Sequence, residues 1–141
     1  MIVTAWMLAQ YVSPFIFAAI VLWVGLFGGA ILDPQSIVSA VKLISWMDVI
    51  CVAYMFIQGL TAITQPAGKY AGRAWDIAFS VVPLIALVAV MTAFFFGNIE
   101  LNLVQRKFLW MSGWAIAFDM ILCTLIAFRI SMRAVNWDSS N

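Results

Sequence analysis

Long apolar stretches alternate along this chain with short clusters of charged and turn-forming residues. No charge precedes Asp33, and Asp33-Pro34-Gln35-Ser36 then reads as a turn, because Pro34 biases the residue before it away from helix and Ser36 can cap the next helix. A second break, Gln65-Pro66-Ala67-Gly68-Lys69-Tyr70-Ala71-Gly72-Arg73, combines Pro, Gly and bases, and a third, over 98–107, carries Glu100, Arg106 and Lys107. Between these breaks the pattern predicts apolar helices over 4–32, 36–63, 74–97 and 108–130, each long enough for the ~20 residues that a bilayer core requires. The first is longer than needed, which a tilt, an extension past the core or a bend at Pro14 would absorb. The expected fold class is all-α, an integral membrane four-helix bundle forming a single transmembrane domain.

Composition sharpens this picture. Hydrophobic residues make up 66% of the 141 and charged ones 9%, against roughly 45–50% and 25% in soluble domains. Four spans leave no room for a separate soluble domain, so any function is expected within the membrane or in a partner. The net charge of +1 is spread along the chain with no basic stripe, which argues against nucleic-acid binding. The chain contains no His, so the usual ligands for haem, zinc and copper are missing and no cofactor or metal is expected. Cys51 and Cys123 lie within apolar runs and read as small hydrophobes, not as a disulfide framework.

The first apolar stretch lacks a basic n-region and reads as a retained span, with no lipidation signal expected at either end. Lys69, Arg73, Arg129 and Arg133 fall on one side of a four-span arrangement and Lys42, Arg106 and Lys107 on the other. The positive-inside rule therefore favours cytoplasmic termini, expected in a bacterial cytoplasmic (inner) membrane. Trp6, Trp46, Trp75, Trp110 and Trp137 fall near the expected span ends, where indoles favour the interface.

At one constant offset Val12 aligns with Val81, Pro14 with Pro83, Ile16 with Ile85, Val21 with Val90, Phe27 with Phe96 and Gly28 with Gly97. Pro and Gly have backbone consequences, so their matches weigh most. Either the chain is two tandem two-helix hairpins related by a pseudo-twofold axis along the membrane normal, or low-diversity apolar sequence has produced a coincidence. A duplicated hairpin with an acid in its fourth helix resembles, in architecture, the proteolipid subunit of rotary vacuolar-type ATPases. The seven Trp and eleven Phe depart from the Gly- and Ala-rich helices of that family, and no family is assigned.

Asp119 carries the candidate chemistry. It stands in the middle of 108–130, whose next charge is Arg129, and an ionised Asp facing lipid there costs roughly 2.5–3.5 kcal/mol on insertion scales. A helix partner, a bound cation or a transferred proton could offset that cost. Ser112, Ala115, Asp119, Cys123 and Ala127 follow helical spacing along one small or polar face, and Ser45, Asp48, Cys51, Met55 and Gly59 form a comparable stripe on the second span. If the stripes meet, Asp48 and Asp119 would share a proton or hold a cation; the alternative is that each acid bonds a nearby polar group, a backbone group or a base on another subunit. Asp76 reads as a helix-start acid, and Gln10 and Gln58 as helix-to-helix hydrogen-bonding groups. Gly25 and Gly29 form a GxxxG spacing that permits close helix approach.

No nucleophile–base pair, phosphate loop or metal-ligand cluster is present, so no enzymatic activity is expected. The sequence is read first as a small polytopic subunit, without activity of its own, packing with other integral membrane subunits in a secretion, conjugation or respiratory-type assembly. An ion- or proton-coupled channel or transporter, homo-oligomeric and using Asp119, is the alternative, and a holin-like pore is a third.

Overall fold

The structure, a computed structural model, describes residues 2–32, 34–64 and 70–138, with side chains placed within 11–29, 32, 34–60 and 78–128. It contains the helices α1 (Ile2–Ile31), α2 (Ile37–Thr64), α3 (Tyr70–Phe95) and α4 (Leu103–Asp138). Each is long and apolar enough to cross a membrane, over Tyr11–Gly29, Ile37–Leu60, Ala78–Phe95 and Leu103–Phe128.

The helix ends follow from local chemistry. At the start of α2 the Ser39 amide donates to Ser36 Oγ at 3.2 Å while the Ser36 amide donates to Ser39 Oγ at 3.1 Å, a reciprocal cap on otherwise orphaned donors. At the end of α3 the amide of Asn98 donates to the Ala93 carbonyl at 2.9 Å and that of Gly97 to Phe94 at 3.0 Å, with Gly97 at φ 73°. This is a Schellman stop, which needs a residue tolerant of left-handed backbone.

The helices run well past the expected apolar stretches at three ends. Helix α3 begins at Tyr70, before 74, and α4 begins at Leu103, before 108, and continues past 130 to Asp138. Bases at a span end mark where the apolar stretch stops, and the helix itself can carry on past them. Helix α1 runs through Pro14 without interruption.

Helices α1 and α3 run parallel and pack most extensively, followed by the parallel pair α2 and α4. Helix α4 also packs on α3 and, less, on α1; α1 touches α2, and among the described residues the α2 and α3 backbones stay apart. This adjacency is not what a pseudo-twofold along the membrane normal produces. Such an axis would set α1 across from α3 and α2 across from α4, and four helices around one axis cannot have both diagonals as their closest contacts. The two hairpins stand side by side instead. The aligned glycines also differ in use, since Gly28 is inside α1 whereas Gly97 ends α3.

The best-covered side chains form one core: Phe17, Val21 and Val24 from α1, Cys51 and Tyr54 from α2, Ala86 and Val90 from α3, and Phe108, Ala115 and Ile116 from α4. Gly25 permits the close approach of α1 to α3. A Cβ built there would lie 2.7 Å from Val90 Cγ2, well inside ordinary contact.

Candidate functional site

All four helices supply residues to a buried cluster around Asp119, a side chain 1% exposed. The Tyr54 hydroxyl donates to Asp119 Oδ2 at 2.8 Å, and the Cys123 thiol, one turn along α4, donates to Oδ1 at 3.6 Å. Ser80 of α3 also hydrogen-bonds the carboxylate and lies 3.7 Å from Cys123 Sγ. Phe17 of α1 stacks on the Tyr54 ring at 4.2 Å with an interplanar angle of 7°, fixing the phenol that reaches the acid. One turn further along α2, Gln58 donates to Ser13 Oγ of α1 at 2.9 Å. Every partner seen on Asp119 is a neutral donor, the set a buried carboxylate requires if it is to stay inside an apolar bundle without a counter-charge.

The expected stripes on α2 and α4 face each other in a particular register. Cys51 Sγ lies 3.8 Å from Ser112 Oγ, and Gly59 faces Phe118 and Leu122. The most buried positions of α2 are Met47, Cys51, Tyr54 and Gln58, so the expected stripe meets α4 at Cys51 but runs off along the flank at Ser45 and Asp48. Ser45 is exposed and turns back to bond the Val41 carbonyl at 2.9 Å.

This register keeps the two acids apart. Asp48 lies one turn before the Cys51–Ser112 level and Asp119 two turns beyond it, so about 15 Å of helix rise separates them. A proton or cation shared directly between them is excluded by that distance. Asp48 falls at the middle of the membrane-length part of α2, not near its edge. Its side chain is half-buried, and Oδ1 is sealed from solvent with no hydrogen-bond partner. Around it α2 presents Val41, Trp46, Val49, Val52 and Phe56 outward, and this helix is the least covered of the four.

Comparison with protein-family models, with curated proteins and with solved structures finds no match. The site is therefore read from its own geometry.

A second polar cluster, which sequence reasoning missed, ties the start of α4 to the end of α1. The Gln105 amide donates to Asn102 Oδ1 and the Asn102 amide to Gln105 Oε1, each at 2.9 Å, closing a reciprocal cap on α4. Gln105 Nε2 then reaches the Val24 carbonyl at 2.7 Å, and Asn102 Nδ2 reaches Leu32 at 3.2 Å. Gly28 and Gly29 lie beside this cluster: a Cβ at Gly28 would press on Leu32 Cδ1 at 2.9 Å, whereas one at Gly29 would meet Gln105 Oε1 at an ordinary 3.8 Å. The glycine-rich segment thus serves two neighbours, with Gly25 set against α3 and Gly29 against the Gln105 side chain. The spacing Asn102-x-x-Gln105 was the available sequence signal, whereas Tyr54 was one aromatic among many.

Trp46 and Trp110 are exposed, well inside their spans and not at the ends. Among the described residues no group of three or more His, Cys, Asp or Glu could hold a metal. The side chains of Trp6, Gln10, Asp33, Lys69, Arg73, Trp75, Asp76, Arg129, Arg133 and Trp137 lie outside the described ones.

Proposed function

We propose that this chain is a small polytopic membrane subunit, without catalytic activity, that packs within a larger multi-protein assembly in a bacterial cytoplasmic membrane with both termini on the cytoplasmic side. The observation carrying the proposal is Asp48. An acid at the middle of an apolar helix is costly to insert and is retained where something binds it. Asp119 finds its donors within the chain; Asp48 has a sealed oxygen with none and lies on the flank of the least covered helix. A donor or base carried by a neighbouring subunit, docked along α2, reaches the outward side of this half-buried carboxylate and offsets the charge that the chain itself leaves unpaired.

Purification of the tagged chain from its native membrane in mild detergent tests this. Wild type should retain foreign integral membrane subunits in fixed stoichiometry, and Asp48→Leu should lose them while the chain itself remains folded. A pure homo-oligomer, or a complex indifferent to Asp48→Leu, overturns the proposal.

One observation favours a second reading, an ion- or proton-coupled transporter: Asp119 is at mid-height in the bundle with only neutral donors as partners. On that reading Asp119→Asn abolishes proton or cation flux in reconstituted vesicles while the fold persists. On the first reading there is no flux to lose.

A further inference from the structure

A cavity of about 360 Å³ opens on the outer surface between α3 and α4, with neither acid in its lining. Leu87, Met91 and Phe94 line it from α3, and Leu109, Trp110 and Gly113 from α4, with Arg106 at one end. The two helical walls each cover about two turns, so the groove is roughly 10 Å long and runs inward from the helix ends. Its volume is at the low end of the ~300–1,000 Å³ typical of small-molecule sites.

The groove is apolar except for one guanidinium, and that group is held in place. Arg106 Nε donates to the Leu101 carbonyl at 3.0 Å, and its central carbon lies 5.6 Å from the centre of the Phe94 ring. With Nε and one face engaged, the two terminal nitrogens are left at the mouth, in the paired geometry that binds phosphate oxygens. Lys107 is exposed beside it and adds positive charge. Arg106 turns back toward the start of α4 to reach the Leu101 carbonyl, so in a membrane-spanning bundle its guanidinium extends toward the headgroups while the groove runs at the depth of the acyl chains.

The geometry points to a binding site for an anionic glycerophospholipid, with its phosphate on Arg106 and the upper part of one acyl chain in the α3–α4 groove. Charge complementarity fixes the headgroup class and the apolar walls require a chain. Gly113 keeps the deep end open, and a Cβ there would meet Leu87 Cδ2 at an ordinary 3.7 Å. A methyl at that position is therefore accommodated, and a larger side chain projects into the groove that Gly113 lines.

The test is native mass spectrometry of the full chain in detergent, stripped of lipid and titrated with phosphatidylglycerol or phosphatidylcholine. Wild type should take up one phosphatidylglycerol at lower concentration than phosphatidylcholine, and inorganic phosphate should not displace it. Arg106→Gln, at an exposed position, should weaken uptake about tenfold by removing a charge-assisted contact. Gly113→Leu should abolish it with thermal stability retained. Equal uptake of the two lipids, displacement by inorganic phosphate, or wild-type uptake by both variants overturns the assignment.

Discussion

Asp119 and Asp48 are the same residue type on adjacent, parallel helices, each deep within a span, yet their surroundings are opposite. Asp119 sits where α2, α3 and α4 converge, and it is met by a phenol, a thiol and a hydroxyl. Asp48, about 15 Å away along the helix axes, has slipped off the α2–α4 contact onto the flank, and its inward oxygen meets no donor. What separates them is helical phase. Tyr54 and Cys51 are on the contact face of α2, while Asp48 is rotated from it toward the exposed Val49 and Val52. An intramembrane acid is thus no single signal: one closes the interior of the chain, and the other leaves a requirement that a neighbour can meet.

The largest expected effect comes from breaking the satisfied acid. Asp119→Leu strands the buried Tyr54 and Ser80 donors and the half-buried Cys123 thiol and should destabilise the isolated chain by about 3–5 kcal/mol, read as a shift in denaturant unfolding followed by circular dichroism. Asp119→Asn keeps an acceptor for Tyr54 and should stay within about 1 kcal/mol of wild type. A mild effect of the leucine variant would remove the distinction between the two acids. Gly25→Ala sets a methyl against Val90 and should cost about 1–3 kcal/mol by overpacking α1 on α3, with the shift measured in the same way. Gln105→Ala removes the cap on α4 and its bond to Val24, for an expected loss of about 1–2 kcal/mol; hydrogen exchange should rise at the first turn of α4. Tyr54→Phe deletes one of three donors and should cost about 1 kcal/mol, seen as a small shift in the unfolding midpoint. Asp48→Leu should leave the isolated chain within about 0.5 kcal/mol of wild type or stabilise it, since no intramolecular partner is lost.

Much of the architecture was legible in the sequence. The absence of charge before Asp33, the Pro34 turn and the Pro66 loop marked helices of spanning length, and Ser36 marked the start of α2. Helix α4 starts before the expected 108 because Asn102 and Gln105, three residues apart, cap it, which places the charged Arg106 and Lys107 inside the helix. Small and polar residues at helical spacing located the α2–α4 contact through Cys51 and Ser112. They could not fix its phase, because Ser45, Asp48 and Tyr54 all lie within one apolar run and only packing decides which of them turns inward. The pairing of Tyr54 with Asp119 and of Gln105 with Val24 joins residues distant in sequence, which no local pattern reports. Likewise, the aligned prolines and glycines suggested a twofold arrangement, whereas the helix neighbours show hairpins placed side by side.

Asp48 is proposed to be satisfied from outside the chain, while Asp119 is satisfied from within. The decisive measurement is co-purification of wild-type, Asp48→Leu and Asp119→Asn chains from the native membrane, with the retained subunits quantified by mass spectrometry. Partner subunits should accompany wild type and Asp119→Asn and be lost with Asp48→Leu, at unchanged amounts of folded chain. Partners retained in full by Asp48→Leu would contradict an external role for that acid.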